Sequence, residues 1–175
     1  MKIGIISDTH DHLIGLKKGI QVFKDRNVEM MVHCGDWVSP FTLEFFDRQM
    51  EGFNIPVKSV VGNNPGDLKR TMMGNPLRKC PIEWPKTVTL KFDIDNIKAI
   101  VYHGDDYDIL DALIACQKYD VVFTGHSHAS RNEVVGKTLI LNPGSTAYAS
   151  EGEIIDQASV AIYDSATNTA EIIQI

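Results

Sequence analysis

Apolar residues recur along this chain at two spacings. Strand-like runs begin at Lys2–Ser7, where Ile3, Ile5 and Ile6 mark a buried strand, and continue at Val28–His33 and Val57–Val61. Between the first two, Leu13, Leu16, Ile20 and Phe23 follow helical spacing, which predicts a helix from about His12 to about Arg26 with one face on a sheet. Ser39 and Pro40 supply an N-cap and a favoured first helical residue for a second helix through Phe41, Phe45 and Phe46. In the second half, Thr87–Phe92, Lys98–His103, Val121–Thr124, Thr138–Leu141, Ser159–Tyr163 and Ala170–Ile173 read as strands, and only Tyr107–Gln117 as a helix. Helix-rich βαβ units followed by a strand-rich half predict an α/β sandwich, two packed sheets flanked by helices, in one domain over residues 1–175. No internal repeat or low-complexity segment interrupts the pattern. The stretch Asn64–Pro85, with four prolines and little periodicity, predicts a long or mobile connection.

A chain of 175 residues with 43% hydrophobic and 23% charged residues is long enough to bury a core. No apolar run approaches the roughly 20 residues that span a bilayer, and the chain opens on a strand rather than a secretory signal, so a cytoplasmic protein is expected. Cys34, Cys80 and Cys116, odd in number and widely spaced, predict reduced, buried thiols rather than disulfides or a zinc motif. The net charge of −6, without a Lys/Arg cluster, argues against nonspecific nucleic-acid binding. An acidic protein can still attract a phosphate ester if metal ions supply positive charge locally.

Each predicted strand of the βαβ kind ends in residues that bind hard or borderline metals: Asp8 and His10, Asp36, Asn63, His103, and then His126 and His128. Loops at the carboxyl ends of strands are where α/β proteins place their sites. Taken singly, Asp8-Thr9-His10, Gly35-Asp36 and Gly62-Asn63 have an ordinary reading as turns. Gly125-His126-Ser127-His128 is more specific, because an i, i+2 histidine pair outside a helix can point two imidazoles into one cavity. Four of the six histidines fall at these strand ends, leaving His12 and His33 as structural residues.

The order Ser7-Asp8-Thr9-His10, Gly35-Asp36, Gly62-Asn63-Asn64, His103-Gly104 and Gly125-His126-Ser127-His128 resembles the calcineurin-like metallophosphoesterase superfamily across essentially the whole chain. The opening Ile6–His12 and the late Asn142-Pro143-Gly144-Ser145 are similar to its small prokaryotic phosphodiesterase branch. The resemblance implies a four-layer αββα sandwich of two mixed β-sheets. It also implies two divalent ions, one held by Asp8, His10, Asp36 and His128, the other by Asp36, Asn63, His103 and His126, with Asp36 bridging. A hydroxide shared between ions about 3.5–4 Å apart would attack a phosphoester in line with the departing alcohol. Asp8, Asp36 and hydroxide then set three negative charges against four positive ones, a surplus of one facing the phosphoryl oxygens. Mixed His, Asp and Asn ligation suits Mn²⁺, the favoured ion, or Fe²⁺, Zn²⁺ or Ni²⁺. The implied partner is a small phosphoester, more a diester than a monoester; no stable nucleic-acid or membrane partner is expected, and a homo-oligomer fits the pattern.

Two stretches depart from the family pattern, one after Asn63 and one after His103-Gly104. Where the larger phosphatases carry a histidine that assists the leaving group, this chain has Asn64, whose amide can orient a phosphate but cannot donate a catalytic proton. An acidic residue usually follows; here Pro65 does, with Asp67 the nearest carboxylate. After His103-Gly104 stand Asp105 and Asp106, which either face the incoming phosphate or simply begin the helix at Tyr107. The alternative to an enzyme is a noncatalytic metal-binding scaffold or interaction module, since a eukaryotic retromer subunit is similar to this fold. A DNA-repair nuclease of the same superfamily is disfavoured by the missing basic surface and cap. Trp37, Trp84 and Tyr148 are candidates for a pocket rim or dimer face, or for buried packing.

Overall fold

The computed structural model describes residues 1–147, 149–150, 153–154 and 157–175. Strand β1 (Lys2–Ile6) is followed by helix α1 (Leu13–Asp25), β2 (Met30–His33), α2 (Pro40–Gln49) and β3 (Val57–Ser59). Next come α3 (Leu68–Gly74), a 3₁₀ turn (Asn75–Leu77), β4 (Ile82–Glu83), β5 (Thr89–Ile94) and β6 (Ile97–Tyr102). The chain continues through α4 (Tyr107–Ala115), β7 (Val121–Phe123), β8 (Arg131–Val135) and β9 (Thr138–Asn142). The short pair β10 (Ala149–Ser150) and β11 (Glu153–Ile154) precedes β12 (Ser159–Asp164) and β13 (Thr169–Gln174).

Two mixed sheets form the middle of the molecule. In the order β13-β12-β1-β2-β3-β4, the steps from β1 to β4 are parallel and β12 and β13 are antiparallel additions. In the order β5-β6-β7-β9-β8, β6, β7 and β9 are parallel and the two edges antiparallel. Side-chain alternation sends Ile3, Ile5 and Val32 from the first sheet and Ala99, Val101, Val121 and Leu139 from the second into one core between them. The opposite faces are covered by helices. Leu16, Ile20 and Phe23 of α1 and Leu43 and Phe46 of α2 pack on Ile6, Met31 and Val160, while Leu110 and Ile114 of α4 pack on Ile100, Tyr102 and Val122. This is the expected four-layer sandwich of two mixed sheets. Phe23 lies so close to β1 that a Cβ on Gly4 would stand 2.7 Å from its ring.

Helix boundaries follow local chemistry. His12 caps α1 by accepting Gly15 N–H at 3.0 Å, and Ser39 caps α2 by accepting Phe41 N–H, with Pro40 in the first helical position as expected. The stretch Asn64–Pro85 is a correction: it holds α3, the 3₁₀ turn and β4 rather than a bare connection. Polar contacts organise it, not an apolar stripe. Asp67 caps α3 through Arg70 N–H, and the Asn75 side chain both donates to Ile82 C=O and accepts its N–H. The Asp47 carboxylate accepts the N–H groups of Lys79 and Cys80. The cysteines need correcting too: Cys34 is buried, Cys80 half-buried and Cys116 exposed, because Cys116 caps the solvent end of α4. Trp37 is buried, Trp84 is half-buried, and Tyr148 lies outside the described residues.

Candidate metal centre

The parallel strands of both sheets end at one edge of the sandwich, and their following loops are stitched together there by backbone bonds. Asp8 N–H donates to Gly35 C=O at 3.0 Å, His10 N–H to Asp36 C=O at 3.0 Å, Asp36 N–H to Val61 C=O at 2.9 Å, and Gly125 N–H to His103 C=O at 2.8 Å. The turns are sharp enough to hold Asp8, His10, Asp36, His126 and His128 at φ of 51°, 42°, 63°, 66° and 57°. Gly35 and Gly62 are required by close approach as well as by positive φ. A Cβ would come within 2.5 Å of His103 Nδ1 at Gly35 and 2.1 Å of Asp36 Oδ1 at Gly62.

All seven expected ligand positions are brought together. Asp8 Oδ1 lies 3.7, 4.0 and 3.4 Å from the Nε2 atoms of His10, His103 and His128. Asp36 Oδ2 lies 3.5 Å from His10 Nε2 and 3.4 Å from His103 Nε2. Asn63 Oδ1 stands between His103 Nε2 at 2.9 Å and His126 Nδ1 at 3.0 Å. Asp8, His10 and His128 form one group able to hold a cation, and Asp8, Asp36 and His103 another. The donor set fits a metal on three counts. Asp8 Oδ1 is buried without a hydrogen-bond partner among the described residues, whereas buried carboxylate oxygens are almost always satisfied. The Nε2 atoms of His10 and His128 face each other at 3.2 Å, a spacing that two imidazole lone pairs tolerate only with a cation or proton between them. His103 donates Nδ1–H to Cys34 C=O at 2.8 Å, which directs Nε2 into the cluster.

The electrostatics agree. Burial pushes the Asp8 carboxyl up, but the neighbouring His10, His128 and His103 imidazoles overcome it and hold the group well below the usual carboxylate range. Burial likewise opposes ionisation of Asp36, and is outweighed by His103 and by the Asn64 amide, so its pKa is lowered. The Asp8 carboxylate beside it raises the His10 pKa; for His103 burial works downward, and Asp36 and Asp8 together raise it. Protons on imidazole and carboxylate charge stabilise each other here, and binding a divalent ion would displace those protons.

Asn64 turns inward: its N–H and Nδ2–H donate to Asp36 Oδ1 and Oδ2 at 2.8 and 2.7 Å. Asp67 and Asp106 are helix caps, Asp106 accepting the N–H groups of Asp108 and Ile109, so the helix-start reading holds for Asp106. His33 is structural in an active sense that its position within a strand did not reveal. Its Nδ1 accepts Gly35 N–H at 3.1 Å, so Nε2–H donates to Thr9 Oγ1 at 2.8 Å, and its ring stacks on Trp37 at 3.7 Å. It thus braces Thr9, between Asp8 and His10, and Gly35, beside Asp36.

Comparison with known proteins places this geometry. The model of the calcineurin-like phosphoesterase superfamily domain matches residues 1–168. The chain belongs to that superfamily. It is 37% identical over 153 residues to phosphodiesterase MJ0936 of Methanocaldococcus jannaschii, covering 82% of this chain and 83% of that one. Among solved structures, an archaeal phosphodiesterase matches with a TM-score of 0.81 and 32% identity over the full length of both chains. Vps29 from Entamoeba histolytica, complexed with Zn²⁺, shares the fold at a TM-score of 0.61 and 18% identity, over 100% of this chain and 98% of its own. Membership in the superfamily supports a phosphoester hydrolase. No helix among the described residues is long and apolar enough to cross a membrane.

Proposed function

We propose that this superfamily member is a dinuclear-metal phosphodiesterase, its residues 1–175 forming one catalytic domain. Asp8, His10, Asp36 and His128 would hold one divalent ion and Asp36, Asn63, His103 and His126 the other, with Asp36 shared. The observation that carries the reading is Asp8 Oδ1, buried, unpartnered among the described residues and 3.4–4.0 Å from three imidazole nitrogens. When bound, the ions would polarise phosphoryl oxygens and lower the pKa of water, so that hydroxide attacks phosphorus in line with the departing alcohol. Mixed N and O donors suit Mn²⁺, the ion proposed, and also Fe²⁺, Zn²⁺ or Ni²⁺.

The chain's own groups prepare this chemistry. Ser7 Oγ–H and His126 N–H both bind Asp8 Oδ2, which fixes the carboxylate with Oδ1 toward the imidazoles. Asn64 restrains Asp36; a phosphoryl oxygen arriving beside Asp36 would compete for the same Nδ2–H, and the amide would then orient it. Asn64 offers no acid proton, so esters with good leaving groups should react faster than those with basic alcohols. The name of the archaeal relative supports a diester. The test is hydrolysis of a chromogenic phosphodiester and its monoester analogue by metal-stripped protein with Mn²⁺, Ni²⁺, Zn²⁺ or Mg²⁺ added back. Turnover should require metal, favour the diester and vanish in Asp36→Ala, which removes a ligand from both ions. Tight ion binding with no turnover of either ester would instead favour a noncatalytic scaffold.

A further inference from the structure

The run Asn142-Pro143-Gly144-Ser145 supplies none of the proposed metal ligands, yet its first residue is tied to both halves of the proposed centre. Asn142 is 2% exposed. Its two Nδ2 hydrogens go to Gly125 C=O at 2.7 Å and Ser127 Oγ at 3.1 Å, and its Oδ1 accepts Gly144 N–H at 2.9 Å. The carbonyl it holds belongs to the same peptide group as His126 N–H, which donates to Asp8 Oδ2 at 3.0 Å. A peptide group is planar and rigid, so this one is clamped at its oxygen by Asn142 and at its hydrogen by Asp8, and rotating it would break both bonds.

We propose that Asn142 is a positioning residue that couples the two ion sites through the Gly125–His126 peptide; the inference rests on the dinuclear reading above. Asp8 is assigned to one ion and His126 to the other, and the clamped peptide fixes the orientation of the first and the backbone origin of the second. The surrounding loop gains from such support, because His126 and His128 sit at φ of 66° and 57°, a region that histidine tolerates better than most residues but still at a cost relative to glycine. Ser127, the residue between them, receives the second Asn142 hydrogen. No slack exists on the far side: a Cβ on Gly125 would lie 2.0 Å from Ser7 Oγ and 2.7 Å from Asp8 Oδ2.

Asn142→Asp keeps the size of the side chain and the acceptor for Gly144 N–H, but turns an acceptor toward Gly125 C=O. Mn²⁺ binding measured by calorimetry should weaken about 10–100-fold at both sites, the range typical when a group supporting a ligand is lost. Hydrogen exchange of the His126 amide should also quicken in the metal-free protein. Ser159→Ala is the comparator. It removes the bond from Ser159 Oγ to Pro143 C=O at 2.6 Å in the same loop without touching the clamped peptide, and should lower thermal stability while binding Mn²⁺ like wild type. Equal weakening in both variants, or Asn142→Asp binding like wild type, would overturn the coupling. If Asn142→Asp does not fold, the uncharged Asn142→Ser, too short to reach Gly125 C=O, takes its place with the same expected outcome. A wild-type protein that binds no Mn²⁺ would overturn the dinuclear reading instead, and the His126 amide exchange would still decide whether Asn142 clamps the peptide.

Discussion

His33 offers a quantitative test of the layer behind the metal centre. Burial, the largest cause, outweighs the nearby Asp8 and Asp36 charges and lowers its pKa from 6.5 to about 3, and its Nδ1 is occupied by Gly35 N–H, so protonation would set two N–H groups against each other. With the folded-state value depressed, the unfolded chain takes up the proton first as pH falls. The stabilisation is therefore complete above pH 6.5 and is lost progressively toward pH 3, at about 1.4 kcal/mol per pH unit. His33→Asn keeps an oxygen for Gly35 N–H but gives up the bond to Thr9, about 1 kcal/mol, and the stacked ring on Trp37, about 1 kcal/mol. Metal-free variant should thus be about 2 kcal/mol less stable than wild type at pH 7 and should lack the acid slope, so that the two stabilities meet near about pH 5. The raised values of His10 and His103 act in the opposite direction, removing stability as pH rises, but both proteins carry them and they cancel in the difference. Urea melts of both proteins from pH 7 to 5 measure it. Curves that stay parallel over that range would refute the assignment of a neutral, buried His33.

Other residues give simpler expectations. Gly125→Ala forces a methyl group against Ser7 Oγ and Asp8 Oδ2 and should destabilise by about 1–3 kcal/mol while lowering Mn²⁺ affinity, read by melting and calorimetry on the same sample. Asp106→Ala removes the cap that accepts two N–H groups of α4; a loss of about 0.5–2 kcal/mol is expected from denaturant melts. A thiol reagent at neutral pH should label Cys116 quickly, Cys80, pushed up to about 11 by burial, slowly, and Cys34, buried completely, only after unfolding. Fast labelling of Cys34 in native protein would contradict its place in the core between the sheets.

Most strands that carry the site were legible because they are buried on both faces and so read as apolar runs ending in a proposed ligand, β3 with Lys58 and Ser59 being the exception. The helices α1, α2 and α4 were legible through their apolar stripes and, at Ser39-Pro40, through the cap. What escaped is of another kind. Only Thr71 of α3 is buried, and that helix has its Asp67 cap and the Arg70–Glu44 pair to α2, with Lys79–Glu51 joining the following segment to the loop after α2, none of which leaves a periodic trace. Strand β8 has no buried residue, since it is an edge strand whose structure comes from pairing with β9. At the site, the seven proposed ligand positions could be listed from strand ends and family resemblance. The inward turn of the Asn64 amide and the Thr9–His33–Gly35 bridge depend on distances between chain segments that spacing along the sequence does not encode.

The left-handed backbone at Asp8, His10, Asp36, His126 and His128 limits which alphabet of ligands this edge of the fold can use. Asn, Asp and His, with Gly, are the residues that accept that conformation most readily, whereas β-branched residues are outliers there. Replacement of one proposed ligand by another can therefore move easily among short carboxylate, amide and imidazole side chains, and less easily to cysteine or glutamate, whatever their affinity for an ion. A preference for oxygen and nitrogen over sulfur donors at the proposed centre is in this sense written into the turns, and an attempt to build thiolate ligation there would have to rebuild the loops first.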